Sequence, residues 1–187
     1  TFIKTTSYSI TFKPTIDIDI VYSDVDINSR LECNAIRCSF NKSNITIVNI
    51  YNVEDSKCAD FKHIYEQVET PVVMCGDFNS HHHVWGSKIT DVKGKELLNF
   101  ISGTDLVLLN DGTGTRLNPV TLELSPLDLS FISNNHSSKA EWKVDLNNSL
   151  GSDHYPITIT VEGNVKLNPD LYIHKWNLDK ADWDNFR

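Results

Sequence analysis

Val72-Val73-Met74-Cys75-Gly76-Asp77-Phe78-Asn79 is the stretch that decides the fold. Its apolar run is too short for a helix and lacks the alternation of a strand wetted on one side. Four apolar residues between Pro71 and Gly76-Asp77 fit a strand buried on both faces. Such a strand needs sheet neighbours beside it and packed layers above and below, and the flanking sequence supplies candidates for both. Upstream, Phe61, Ile64, Tyr65 and Val68 recur at i, i+3, i+4 and i+7 and predict a helix over 55–69. Before it, apolar segments over 31–40 and 45–51 meet across Asn41-Lys42-Ser43-Asn44, which predicts a hairpin. Ile16-Asp17-Ile18-Asp19-Ile20 alternates like a half-buried strand. Downstream, a helix is predicted over 92–102, with Leu97, Leu98 and Ile101 inward and Gly103 as its stop. Strands follow over 106–109, 127–132 and 155–161, with a weaker one over 141–145. Helices fall between groups of strands, so the class is an α+β or α/β layered sandwich.

The 187 residues fit one domain, against a usual size of roughly 100–200 residues. With 40% hydrophobic and 22% charged residues, the chain can bury a core. Lys and Arg number 17 against 25 Asp and Glu, a net charge of −8 that excludes a polybasic coat but not one local anion site. No apolar run approaches the roughly 18–20 residues of a membrane span. Cys33, Cys38, Cys58 and Cys75 form no CxxC pair and read as free thiols of a reducing compartment. Position 1 is Thr and the single methionine is Met74, so the chain reads as a fragment. The apolar pattern fades after about residue 163, which places one domain over 1–163 and a linker over 164–187 holding Trp176, Trp183 and Phe186.

Three polar clusters stand at predicted strand ends: Asp77 with Asn79, Asp128 between Leu127 and Leu129, and Ser152-Asp153-His154. An aspartate closing a buried strand needs a hydrogen-bond network, a metal or a functional reason. Asp77 and Asn79, two apart, point to one side and can orient a water beside a phosphate. Asp128 can hold an imidazole in one tautomer and stabilise its cation, and Asp153 offers a hard oxygen ligand next to His154. Read by residue type alone, these positions suit either a hydrolytic metal site or caps and Asx turns. His81-His82-His83 cannot all face one ion from a regular element, and Trp85 and Trp142 suit packing better than base stacking.

The order of these clusters resembles the endonuclease/exonuclease/phosphatase superfamily. The run Gly76-Asp77-Phe78-Asn79-Ser80-His81-His82-His83-Val84-Trp85-Gly86-Ser87 is similar to the apurinic-like endonuclease domain of jockey-type non-LTR retrotransposons. Leu109-Asn110-Asp111-Gly112, Thr115-Arg116, Leu127-Asp128-Leu129 and the tail Ala181-Asp182-Trp183 carry the same likeness. The resemblance implies an α+β fold, a four-layered α/β/β/α sandwich of the DNase I-like kind. It implies metal-dependent phosphodiester hydrolysis with Mg²⁺ or Mn²⁺, nicking DNA for target-primed reverse transcription.

Carried over one position at a time, Asp77 resembles the residue that orients or deprotonates the attacking water. Asn79 resembles the amide that positions water and phosphate, and Tyr51 the tyrosine at the scissile phosphate. Asp128 resembles the carboxylate paired with the catalytic imidazole, here His154. Asp153 resembles a contributor to the metal site, and Thr115 a hydroxyl that contacts the DNA backbone. The implied partners are DNA and a fused reverse transcriptase, with no membrane and a nuclear or cytoplasmic location. The superfamily's early Asn and metal-binding Glu motifs have no counterpart in context here, so the expectation is a domain lacking its first strands and helix. Its rivals are a catalytically impaired transposon remnant and a phosphatase of the same superfamily.

Overall fold

The computed structural model describes residues 8–9, 19–23, 31–40, 43–52 and 57–161. In chain order its elements are β1 (Tyr8–Ser9), β2 (Asp19–Ser23), β3 (Leu31–Phe40), β4 (Ser43–Asn52), α1 (Cys58–Gln67), β5 (Val72–Asp77) and a 3-10 turn (His83–Trp85). Then come α2 (Val92–Ser102), β6 (Leu106–Leu108), β7 (Arg116–Leu117), β8 (Leu124–Ser125), β9 (Asp128–Ser133), α3 (Asn134–Ser137), β10 (Ala140–Val144) and β11 (Ile157–Val161). The predicted hairpin is present as β3 and β4, paired antiparallel from Leu31 opposite Asn52 to Phe40 opposite Ser43. Residues 16–18 of the alternating run, Asn41-Lys42 of the link, and the predicted linker 164–187 with its aromatics lie outside the described residues.

A six-stranded sheet runs in the order β2-β3-β4-β5-β9-β6, and a three-stranded sheet in the order β1-β11-β10. The buried side chains of β5 separate by parity. Val72 and Met74 face a core shared with Phe61 and Ile64 of α1 and Leu97 and Phe100 of α2. Val73 and Cys75 face a second core with Ile45 and Ile47 of β4 and Ile157 and Ile159 of β11. This is why the sequence reads Val-Val-Met-Cys without alternation: each of those side chains is buried, half of them on either side. The order of layers is helices, six-stranded sheet, three-stranded sheet, which are three of the four layers of the expected sandwich among the described residues. The class is α+β, and no helix among the described residues is long and apolar enough to cross a membrane.

Two glycines of the motif region are dictated by close approach. Gly76 has φ +147°, and a Cβ there would lie 1.8 Å from the carbonyl oxygen of Ile50 on β4. Gly94, inside α2, lets the helix start lie against the backbone of His81, whose carbonyl oxygen a Cβ would meet at 2.0 Å. The cap of that helix reinforces the contact, since Asp91 Oδ1 accepts from the amides of both Gly94 (2.7 Å) and His81 (3.2 Å). Helix α2 is therefore clamped to the loop that follows β5. The cysteines are free, and Cys33, Cys38 and Cys75 are buried. Burial pushes the Cys75 thiol up to about 12, which leaves it an inert core residue.

Candidate active site

β5 brings Asp77 to the edge of the core, where the chain must turn while staying anchored. Phe78 provides the anchor: its ring is fully buried, stacked on Phe61 with centroids 6.0 Å apart and edge-on to Phe131 at 5.5 Å. Its amide donates to the carbonyl of Leu127 at 3.0 Å, tying the turn to the residue before β9. Asn79 then takes φ +45°, a left-handed conformation that asparagine tolerates. Its amide donates to Asp77 Oδ1 at 3.0 Å, and its side-chain Nδ2 reaches Asp77 Oδ2 at 3.3 Å and the carbonyl of Asn52 at 3.1 Å. Asn52 is fully buried at the end of β4 and donates from Nδ2 to the carbonyl of Phe78 at 2.8 Å. The Gly-Asp-Phe-Asn turn is thus fixed from three sides.

Strand register sets the rest. Asp77 lies beside Tyr51 in the parallel β4–β5 pair and opposite Asp128 in the antiparallel β5–β9 pair. Two carboxylates facing each other across a ladder repel, and both are buried, at 4% and 1% exposure. His154, from the segment before β11, answers that repulsion. Its Nδ1 donates to Asp128, with the two carboxylate oxygens at 3.0 and 2.9 Å, which turns Nε2 toward Asp77 Oδ2, 4.0 Å away. That spacing is longer than a hydrogen bond and suits an oxygen atom bridging the two groups.

The charges are tuned accordingly. Burial, and then the Asp128 charge, raise the Asp77 carboxyl from 3.8 to about 6, against the opposing pull of His154, the Asn79 amide and Arg116. For His154, burial alone would lower the imidazole. The hydrogen bond and charge of Asp128, helped by Asp77 and Asp153, outweigh burial and raise it above its ordinary value. The site therefore pairs a carboxyl poised near neutrality with an imidazole inclined to be cationic, a combination suited to acid–base work.

The remaining expected residues are distributed around this centre. Tyr51 is half-buried beside Asp77. Asp153 accepts from Arg116 Nε at 2.9 Å, a partner that holds its carboxyl below the usual range. Thr115 is fully buried, its hydroxyl bonded to neighbouring backbone. The histidine run has local tasks: His82 Nδ1 accepts from the amide of Val84, and His83 Nδ1 bonds the carbonyl of Ser87. Trp85 packs under the loop, 1% exposed, with Nε1 donating to the carbonyl of Ser80, and half-buried Trp142 donates to Ser130. Lys88 pairs with Glu123 in solvent.

Asn110 is a residue that residue-type reasoning passed over. Its Nδ2 donates to the Asp128 carbonyl at 2.9 Å and its Oδ1 accepts from the Ser130 amide at 2.8 Å, so it grips β9 on both sides of Leu129. Its place directly after an apolar strand is the same signal that marked Asp77. Among the described residues, the side chains able to share a metal ion are Asp77, Asp128 and His154, with ligand atoms within 4.8 Å of one another. Asp128 is engaged by His154 and Asp77 accepts from Asn79, so Asp77 would offer a metal only its remaining lone pairs. Mg²⁺ fits there only with water and substrate phosphate filling most of its shell, as is common for this ion.

Comparison with known proteins identifies the family and the fold. Residues 45–158 match the endonuclease-reverse transcriptase family. A probable RNA-directed DNA polymerase from transposon X-element of Drosophila melanogaster is 27% identical over 112 residues, which cover 60% of this chain and 12% of that protein. The chain thus spans about an eighth of that curated relative's length. Among solved structures, the endonuclease domain of TRAS1, a telomere-specific non-LTR retrotransposon, superposes with a TM-score of 0.63 at 24% identity, covering 74% of this chain and 64% of that one. An endonuclease/exonuclease/phosphatase family protein from Leptotrichia buccalis gives 0.52 at 19% identity, covering 79% and 61%. At these identities the two structures speak for the fold, and the family match covers more than half of the chain: it belongs to the endonuclease-reverse transcriptase family.

Proposed function

We propose that this domain hydrolyses phosphodiester bonds in DNA, nicking one strand so that the exposed 3′-hydroxyl can prime reverse transcription by a fused polymerase. The observation that carries the proposal is the imidazole held between two buried carboxylates: Nδ1 bonded to Asp128, Nε2 facing Asp77 at 4.0 Å. Asp77, raised to about 6, orients a water and takes its proton. Asn79 holds Asp77 in place through its amide and side chain. His154, kept in one tautomer by Asp128, places a cation where negative charge grows on the phosphoryl oxygens. Tyr51, level with Asp77 on the neighbouring strand, borders the same space. Mg²⁺ or Mn²⁺, when bound with the substrate phosphate, would supply further charge neutralisation.

The test is nicking of supercoiled plasmid with Mg²⁺ or Mn²⁺. His154→Ala, with native-like circular dichroism, is expected to lose at least about a hundredfold in rate, in line with removal of a group that stabilises developing charge. A folded His154→Ala protein that nicks as fast as the parent chain refutes the assignment. A second reading, an impaired remnant, is favoured by the engagement of Asp153, the carboxylate expected at the metal, by Arg116. It predicts a folded chain that shows no nicking with either metal.

A further inference from the structure

The two members of the histidine–aspartate pair are 26 residues apart and belong to different parts of the fold, Asp128 at the start of β9 and His154 ahead of β11. Between them passes the two-residue strand β7 with Thr115 at its entrance. Resting on the reading of Asp128 and His154 given above, we propose that Thr115 is the positioning residue that aligns this pair. Its hydroxyl accepts from the amides of Leu127 at 3.1 Å and Asp128 at 2.9 Å, and donates to the carbonyl of Ser125 at 3.4 Å. Its carbonyl accepts from the amide of Tyr155, the residue after His154, at 2.8 Å. The stitching continues along the strand: Arg116 bridges His154, the Leu117 amide donates to the Asp153 carbonyl, and the Arg116 side chain bonds the Asp153 carboxylate. One residue therefore holds the aspartate through its side chain and the histidine segment through its backbone.

A hydroxyl has one proton to give and two lone pairs to accept with. All three are engaged inside the protein, and Thr115 is 0% exposed. In this arrangement it has neither a donor nor a surface with which to meet a DNA phosphate. Its task is geometric: it sets where Asp128 stands relative to His154 Nδ1, and hence where Nε2 points.

Thr115→Val keeps the shape and deletes the hydroxyl, removing the acceptor of the Asp128 amide, while the Leu127 amide keeps the carbonyl of Ser125 at 3.1 Å. Thr115→Ser keeps the hydroxyl. Thr46→Val is the control, because Thr46 is equally buried and donates to the carbonyl of Glu69 away from the site. In the full chain labelled with nitrogen-15 histidine, the downfield proton signal of the His154 Nδ1–H bonded to Asp128 is expected to broaden away in Thr115→Val. The same signal is expected to persist in Thr115→Ser and Thr46→Val. An unchanged signal in Thr115→Val, or equal loss in Thr46→Val, overturns the proposal. If the valine protein does not fold, Thr115→Ala against Thr115→Ser carries the same comparison.

In the nicking assay, Thr115→Val is expected to lower kcat at least about tenfold with little change in KM, and Thr115→Ser to restore it. A raised KM at unchanged kcat would assign Thr115 to DNA binding instead and overturn the positioning role. If the parent chain does not nick while the proton signal behaves as stated, the nuclease reading fails and the positioning role stands.

Discussion

Asp77→Asn should make the protein more stable at alkaline pH, and the gain should shrink as the pH falls. The Asp77 carboxyl is raised from 3.8 to about 6 by burial and by the facing Asp128. A carboxyl raised in the folded state binds its proton more tightly there than in the unfolded chain. Stability contributed by the protonated form is fully present below the unfolded value and is lost as pH rises through the folded one. The shift of about two units corresponds to about 3 kcal/mol of penalty for the buried carboxylate at about pH 8. The same linkage leaves about 1 kcal/mol at about pH 4.5, where folded Asp77 is largely protonated. Replacement by asparagine removes the titration and preserves the oxygen that accepts from the Asn79 amide. It loses one of the two acceptors of Asn79 Nδ2, a change whose cost does not depend on pH in this range, and the carbonyl of Asn52 remains. The stability difference between Asp77→Asn and the parent, from urea unfolding at about pH 8 and 4.5, should therefore be larger at the higher pH by about 2 kcal/mol. The variant should also be inactive in nicking. A stability difference that is the same at both pH values would refute the assignment of a strained, near-neutral carboxyl at this position.

Further outcomes follow from the packing and the charges. Phe78→Ala empties the contact with Phe61 and Phe131 and should cost roughly 3–5 kcal/mol in urea unfolding. Asp153→Asn removes an ion pair between half-exposed side chains, and its unfolding free energy should change by less than about 1 kcal/mol. If Asp153 also serves a metal, the Mg²⁺ concentration for half-maximal nicking should rise in the same variant; an unchanged value would remove it from the metal site.

How much was legible in the sequence depended on whether the signal was local. Helix α2 is found with the predicted bounds because its apolar positions and the Gly103 stop lie within the segment itself. The unalternating run of β5 revealed burial on two faces, and the polar link revealed the β3–β4 hairpin. The pairs β7 and β8 went unread, since two residues carry no period, and so did β1, whose parallel partner β11 is at the other end of the chain. At the site, Asp77 and Asn79 stood out because both lie at one strand end. The pairing of Asp128 with His154 came from motif order, and its geometry could not: 26 residues of chain between them say nothing about a 2.9 Å contact. Asn110 and Asn52 escaped because their partners are backbone groups of other strands, and any polar residue after a strand has the same local signature. For Thr115, the family likeness implied a contact with the DNA backbone, and the burial of its hydroxyl among strand amides could not be read from the sequence.

The parity of β5 has a consequence for how this domain can change over time. Its alternate side chains fill two different cores, and its last residue, Asp77, owes its neighbours Tyr51 and Asp128 to the same ladder. A slip of one residue would exchange the two cores and carry Asp77 away from His154 in a single step. Insertions and deletions within β5 are therefore visible to selection twice over, as lost solubility and as lost chemistry. A variant that still folds has kept this register, and with it the neighbourhood of Asp77, Tyr51 and Asp128.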